Sequence, residues 1–267
     1  MWSISSAPSP PPTGEDDHAH DNRFPGGLTV ELHTAFLPEE AGPLDGRVAV
    51  VIDVLRATTS LLVLIERGCA EVVVTPSVEA ARQYGQLHAD VLTAGERDGL
   101  APPGFDFGNS PVAFSQAALA GRRMVFATTN GTRAVCAAND AHQVLIGCLR
   151  NCVAVARAAK SAGRDMTLLC AGREGRFSLD DAYTAGAIVD AMTSGSRGRG
   201  TLDLSDGSLA ARALYQSGAN PLAVLRNSLA GRRIVEIGLP EDLTYCAERD
   251  RSAVVPKVGD RIRVLAV

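Results

Sequence analysis

"RVAVVIDVLRATTSLLVLIERG", residues 47–68, decides the fold. Its first part, 47–53, is a short apolar run rich in Val and Ile, the pattern of a strand buried on both faces. A brief polar turn follows, and then an apolar segment of helical length, 57–67. A strand that hands over to a helix in this way is the unit of an α/β protein. The unit recurs along the chain. Strand-like runs stand at 28–34, 70–75, 122–128, 143–147 and 165–170, with helical segments at 77–88, 131–139, 150–162 and 178–193. The expected fold is a layered α/β/α arrangement around a mixed, largely parallel sheet covered on both faces. The stretch 196–207 reads as a polar break, and "RIRVLAV" at the C-terminus as a closing strand.

Composition narrows the function. The 267 residues are 46% hydrophobic, enough for a substantial core, and carry a net charge of only −4. Without a basic field or aromatic platform, with aromatics at 4%, duplex and single-stranded nucleic acids are not expected partners. No apolar run reaches the roughly 18 to 20 residues of a membrane-spanning helix. Residues 1–25, rich in Pro, Ser and acids, read as a disordered tail without the features of a secretory signal, and His18 and His20 lie in it as solvated residues. Six cysteines without zinc-ribbon spacing suit buried thiols in a reduced cytoplasmic protein.

The polar, glycine-bearing clusters fall where strands meet helices: "DVLRATTS" (53–60), "AGERDGLAPPGFDFGNSP" (94–111), "TTNGTRA" (128–134) and "AGREGRFSLDD" (171–181). Ligands of open α/β sheets bind outside the carboxyl ends of the strands, so four such clusters on one sheet edge would make one site. Asp53 ends a wholly apolar strand, where a carboxylate is costly unless paired or bound to metal. Pairing with Arg56 is the structural alternative, with Thr58 as a cap. Glu96 and Asp106 are hard oxygen donors of the kind magnesium takes, and Arg97 is an anion clamp candidate. Thr129, Asn130 and Gly131 form a small loop suited to anion oxygens, with Thr132 placed to cap the next helix. Asn109 and Ser110 before Pro111 read as a helix start. Ser178 and Asp181 have capping-box spacing, while Asp181 with Glu174 could equally hold a cation. Cys170 and Arg176 stand five residues apart, as in cysteine phosphatases. Against that reading, Glu174 would sit inside the cradle, and a buried inert thiol explains Cys170 as well. Together the acids, Asp53, Glu96, Asp106, Glu174 and Asp181, face the arginines, Arg56, Arg97, Arg173 and Arg176. That balance suits phosphoryl transfer with a metal. The Walker and dinucleotide patterns are absent.

In series, "VVIDVLRATTS", "AGERDG", "GFDFGNSP", "TTNGTRA" and "CAGREGRFSLDDAYTAGAIV" resemble the 2-phosphosulfolactate phosphatase family from about residue 28 to 255. The resemblance implies one domain over 26–267. It also implies a cytoplasmic, Mg²⁺-dependent phosphatase acting on a small phosphorylated 2-hydroxy acid that carries a sulfonate or carboxylate. In such an enzyme Asp53 is the first choice for nucleophile or metal ligand. Arg56 and Arg176 would neutralise the developing charge. Arg97, Arg173 and the 129–132 loop would bind substrate, and Glu96, Asp106, Glu174 and Asp181 would offer metal ligands. A homo-oligomer is a reasonable expectation for such an enzyme. One departure stands out. The family tends to have His two residues after a Ser near "NSLAGRRIVEIG", but Ser228 here is followed by Leu229 and Ala230. A cysteine-dependent enzyme and a non-catalytic anion-binding homologue are the competing readings.

Overall fold

The structure is a computed structural model that describes residues 29–194 and 201–265. The expected tail with its two histidines, and the first part of the polar break, lie outside the described residues.

The described chain contains nine strands: β1 (Thr29–Ala35), β2 (Val48–Ile52), β3 (Glu71–Val74), β4 (Val91–Gly95), β5 (Arg123–Ala127), β6 (Gln143–Gly147), β7 (Met166–Cys170), β8 (Thr201–Leu204) and β9 (Ile262–Val264). The helices are α1 (Ala57–Glu66), α2 (Val78–Leu87), α3 (Pro111–Gln116), α4 (Gly131–Ala137), α5 (Cys152–Ser161), α6 (Leu179–Thr193), α7 (Asp206–Gln216), α8 (Pro221–Asn227), α9 (Leu229–Glu236) and α10 (Pro240–Ala247). The layered α/β architecture is as the alternation predicts, but the single mixed sheet is not. There are two sheets, one of five strands in the order β6-β2-β7-β1-β8 and one of four in the order β4-β5-β3-β9. All their pairings are parallel.

Helix α1 explains why two sheets form. Nine of its ten residues are buried. A helix apolar all round must be covered all round. On one side α1 meets the face of the five-stranded sheet that carries Ala49 and Val51, and on the other it meets Val72 and Val74 of β3 with Met124 and Phe126 of β5. The opposite face of the first sheet, with Val48, Val50 and Ile52, packs on α5 and α6 through Val155, Ala159, Ile188 and Met192. The far face of the second sheet, Val73 and Val125, is covered by Val78 and Ala81 of α2. The period-two alternation of each strand thus feeds two different layers.

Strand β8 lies within the stretch read as a break. It has only four residues, none of them buried, and it pairs with β1 from Thr29↔Thr201 onward. A half-exposed edge strand lacks the apolar run by which the buried strands declare themselves. Ser110 caps α3 as expected, accepting from Ala113 N at 3.2 Å with Pro111 behind it. Two other expected caps are replaced. Thr128, not Thr132, supplies the acceptor at α4, its Oγ1 receiving Thr132 N at 3.2 Å. Ser178 makes no cap bond at α6, its hydroxyl turning instead to Asp180 Oδ1 at 2.7 Å. Among the described residues no helix is long and apolar enough to cross a membrane.

Candidate active site

The carboxyl ends of β2 and β7 lie side by side, with Ile52 opposite Cys170 and Ala171 N bonded to Ile52 O at 2.8 Å. Those of β4 and β5 are likewise adjacent in the other sheet, Gly95 opposite Ala127. The four polar clusters therefore converge, but from two sheet edges rather than one. They line a solvent-open cleft. The β2–α1 turn supplies Asp53, Leu55 and Arg56, and the β5–α4 turn supplies Thr128, Thr129 and Asn130. The β4–α3 loop adds Glu96, Asp98, Gly99 and Asn109, and the β7–α6 loop adds Arg173 and Glu174. A fifth wall comes from α9, with Ala230, Arg233 and Ile234, of which the sequence had marked only Ala230. The departure at Ala230 thus falls on the cleft itself.

Glu96 stitches two loops. Its Oε1 accepts Thr129 N at 2.7 Å and its Oε2 accepts Gly99 N at 2.8 Å. Asn130 Oδ1 accepts Glu174 N at 3.1 Å, tying the loops of the two sheets together. Two matched turns shape the rim. Arg97 and Leu100 exchange backbone bonds of 2.9 and 3.1 Å around Asp98 and Gly99, both at positive φ. Arg173 and Arg176 do the same at 2.8 and 2.9 Å around Glu174 and Gly175. Two positive-φ residues in a two-residue loop are the type I′ geometry, which glycine in second place makes easy. The D-G and E-G pairs were the available signal.

Asp53 is 7% exposed, and its carboxylate is sparsely bonded. Among the described residues its Oδ1 accepts only Ala57 N, at 3.3 Å, and none donates to Oδ2. Burial above all, with Asp180 and Glu96 nearby, pushes its carboxyl up to about 7, against the opposing Ala57 bond and Arg56 charge. Gly131 makes room for it. A Cβ there would lie 2.6 Å from Asp53 Oδ2 and 2.3 Å from the Ala57 Cβ. The structure does not pair Asp53 with Arg56. Arg56 donates from Nη1 to Asp242 Oδ2 and from Nη2 to Gly99 O, each at 2.7 Å, in a buried ion pair.

Other expected residues lie elsewhere. Arg97 points away to an exposed ion pair with Glu79. Asp106 fastens its loop to β4, its Oδ2 accepting Thr93 N at 2.7 Å and Thr93 Oγ1 at 2.8 Å. Arg176 contributes its backbone to the turn and does not line the cleft. Thr132 is fully buried and bonds back to Thr128 O at 2.7 Å. Asp181 sits behind the site, accepting Val54 N at 3.0 Å and Gly172 N at 3.2 Å, with its carboxyl raised well above its usual value by burial and by Asp180 and Asp53. Cys170 is fully buried and absent from the cleft wall, its thiol held well above its ordinary value by burial and by Asp181 and Asp180.

The donor chemistry suits a divalent cation: hard carboxylate oxygens, one of them open on Asp53. No group of three or more ligating side chains gathers among the described residues. Magnesium is commonly held by one or two carboxylates plus water and substrate phosphate rather than by a full protein cage, so the set fits that mode. The lining also holds cations, Arg173 beside Glu174 and Arg233 held by Asp98 O through Nε at 3.2 Å and Nη2 at 3.1 Å.

Comparison with known proteins identifies the family. The sequence profile described as 2-phosphosulpholactate phosphatase matches residues 34–261. A protein of Deinococcus radiodurans named probable 2-phosphosulfolactate phosphatase is 42% identical over 237 residues, covering 87% of this chain and 96% of the relative. Proteins of the same name from Thermus thermophilus (40% identical, 80% of this chain and 89% of the relative) and Symbiobacterium thermophilum (39%, 81% and 93%) are also similar. The match spans every element that builds the cleft, and the chain belongs to the 2-phosphosulfolactate phosphatase family.

Proposed function

We propose that this protein is a phosphatase that releases phosphate from 2-phosphosulfolactate or a closely related phosphorylated 2-hydroxy acid, using Mg²⁺. The observation that carries the reading is Asp53, a buried carboxylate with an open oxygen, set in a cleft whose other walls present Arg173 and Arg233. Three guanidinium groups on the lining, Arg56, Arg173 and Arg233, suit a substrate of high negative charge. A bound Mg²⁺ would supply charge neutralisation at the phosphoryl group and an activated water. Asp53 would hold that ion. Arg173 and Arg233 would orient the anion and neutralise charge that builds up during transfer. Water adds to phosphorus, the ester P–O bond breaks, and the leaving oxygen takes up a proton to become the hydroxyl of the hydroxy acid.

The test is phosphate release from 2-phosphosulfolactate, phospholactate and an aryl phosphate, each with Mg²⁺ and with EDTA. Magnesium-dependent release that prefers the sulfonate is expected. Release that survives EDTA but not thiol alkylation would transfer the chemistry to a cysteine. Tight ligand binding with no release from any of the three would favour a non-catalytic homologue.

A further inference from the structure

One side chain on the cleft wall has no role in the account so far. Asn109 is 4% exposed and lines the cleft, yet among the described residues none hydrogen-bonds its carboxamide. Its Oδ1 is buried with no partner at all. A buried amide in this state is costly, since each unmet polar atom forfeits the hydrogen bonds it had in water. The surroundings are not short of order. The next residue, Ser110, donates its hydroxyl to Asp242 Oδ1 at 2.6 Å, and Asp242 in turn holds Arg56. The backbone that carries Asn109 is thus anchored to the same buried ion pair that fixes Arg56, while Oδ1 of a residue that lines the cleft is left without a partner.

We propose that Asn109 is a substrate-recognition residue whose carboxamide N–H donates to an oxyanion oxygen of the ligand, alongside the Arg56 guanidinium. Either amide orientation leaves a buried polar atom without a protein partner among the described residues, and an N–H turned to an anion would have one. The inference rests on the anion-binding reading of the cleft and adds a residue that the charge pattern did not mark. It also fixes an uncommon sign for stability. A residue kept for structure loses stability when truncated, whereas removing a polar atom that is buried and unmet in the free protein costs little or none.

The experiment uses the full-length protein with Mg²⁺ and two probes, inorganic phosphate and sulfolactate, titrated calorimetrically into wild type, N109A and the isosteric N109D. Thermal unfolding without ligand is measured beside it. Expected are a loss of affinity of about tenfold or more for at least one probe in N109A, a larger loss in N109D, whose carboxylate repels the anion, and an unfolding temperature unchanged or raised in N109A. Which probe weakens assigns the contact to the phosphoryl or to the acid end. Unchanged affinity for both probes in both variants overturns the proposal. So does a fall of several degrees in the unfolding temperature of N109A, which would make Asn109 structural. An N109A protein that does not fold overturns the proposal in the same way, and in the folded N109D the affinities test it independently. These outcomes are separate from turnover: a wild type that binds both probes without hydrolysing 2-phosphosulfolactate defeats the proposed activity and leaves the Asn109 contact standing.

Discussion

Asp53→Asn should make the protein more stable at neutral pH while it abolishes phosphate release. Folding raises the Asp53 carboxyl from 3.8 to about 7, chiefly by burial. Between those values the folded chain holds a proton that the unfolded chain has lost, so stability falls as pH rises through that window. Above it the penalty is complete: about 3 pH units at 1.36 kcal/mol each, or roughly 4 kcal/mol as an upper bound. Asn keeps the shape and the acceptor for Ala57 N but carries no charge. The variant should therefore gain under about 1 kcal/mol at pH 4 and up to about 4 kcal/mol at pH 8. At roughly 2–4 °C per kcal/mol for a chain of this size, the rise at pH 8 is on the order of 10 °C. The assay is thermal unfolding of both proteins at pH 4 and pH 8 in EDTA, so that no cation offsets the charge of the wild type. A D53N protein that unfolds at or below the wild-type temperature at pH 8 would refute the argument, because it would mean that the carboxylate is already compensated.

Gly131→Ala places a Cβ against Asp53 Oδ2 and the Ala57 Cβ; overpacking of about 1–3 kcal/mol in denaturant unfolding and a marked fall in phosphate release are expected together. Asp242→Asn strips the counter-charge from buried Arg56, and urea unfolding should show a loss of about 3–5 kcal/mol. Cys170→Ala should retain phosphate release within about threefold of wild type, and iodoacetamide should not inactivate the native protein, because a fully buried thiol with a raised pKa offers no thiolate. Loss of activity in that variant, with folding intact by circular dichroism, would restore the cysteine mechanism.

Much of this molecule was legible in its sequence. The buried parallel strands and the helices between them are written in runs such as "VAVVI" and "QVLIG", because a strand covered on both faces tolerates nothing polar. The same reading located the four polar clusters, since a strand end is where that constraint lapses. Asp53, Glu96, Thr129, Asn130, Arg173 and Glu174 lie in one cleft for that reason. Tertiary structure alone decided the rest. Whether Arg56 would pair with Asp53 or with Asp242, 186 residues away, depends on where α10 packs. Arg97 and Asp106 have the right chemistry in the right motif, but a two-residue turn reverses the chain beside one and Thr93 captures the other. Charged residues in a loop carry no periodicity to reveal which way they point. The presence of two sheets, and of Arg233 on the cleft wall, follows from packing α1 and α9 against partners remote in sequence. Local pattern fixes which segments are strands and where their polar ends fall; long-range packing fixes which of those ends meet and which charges face each other.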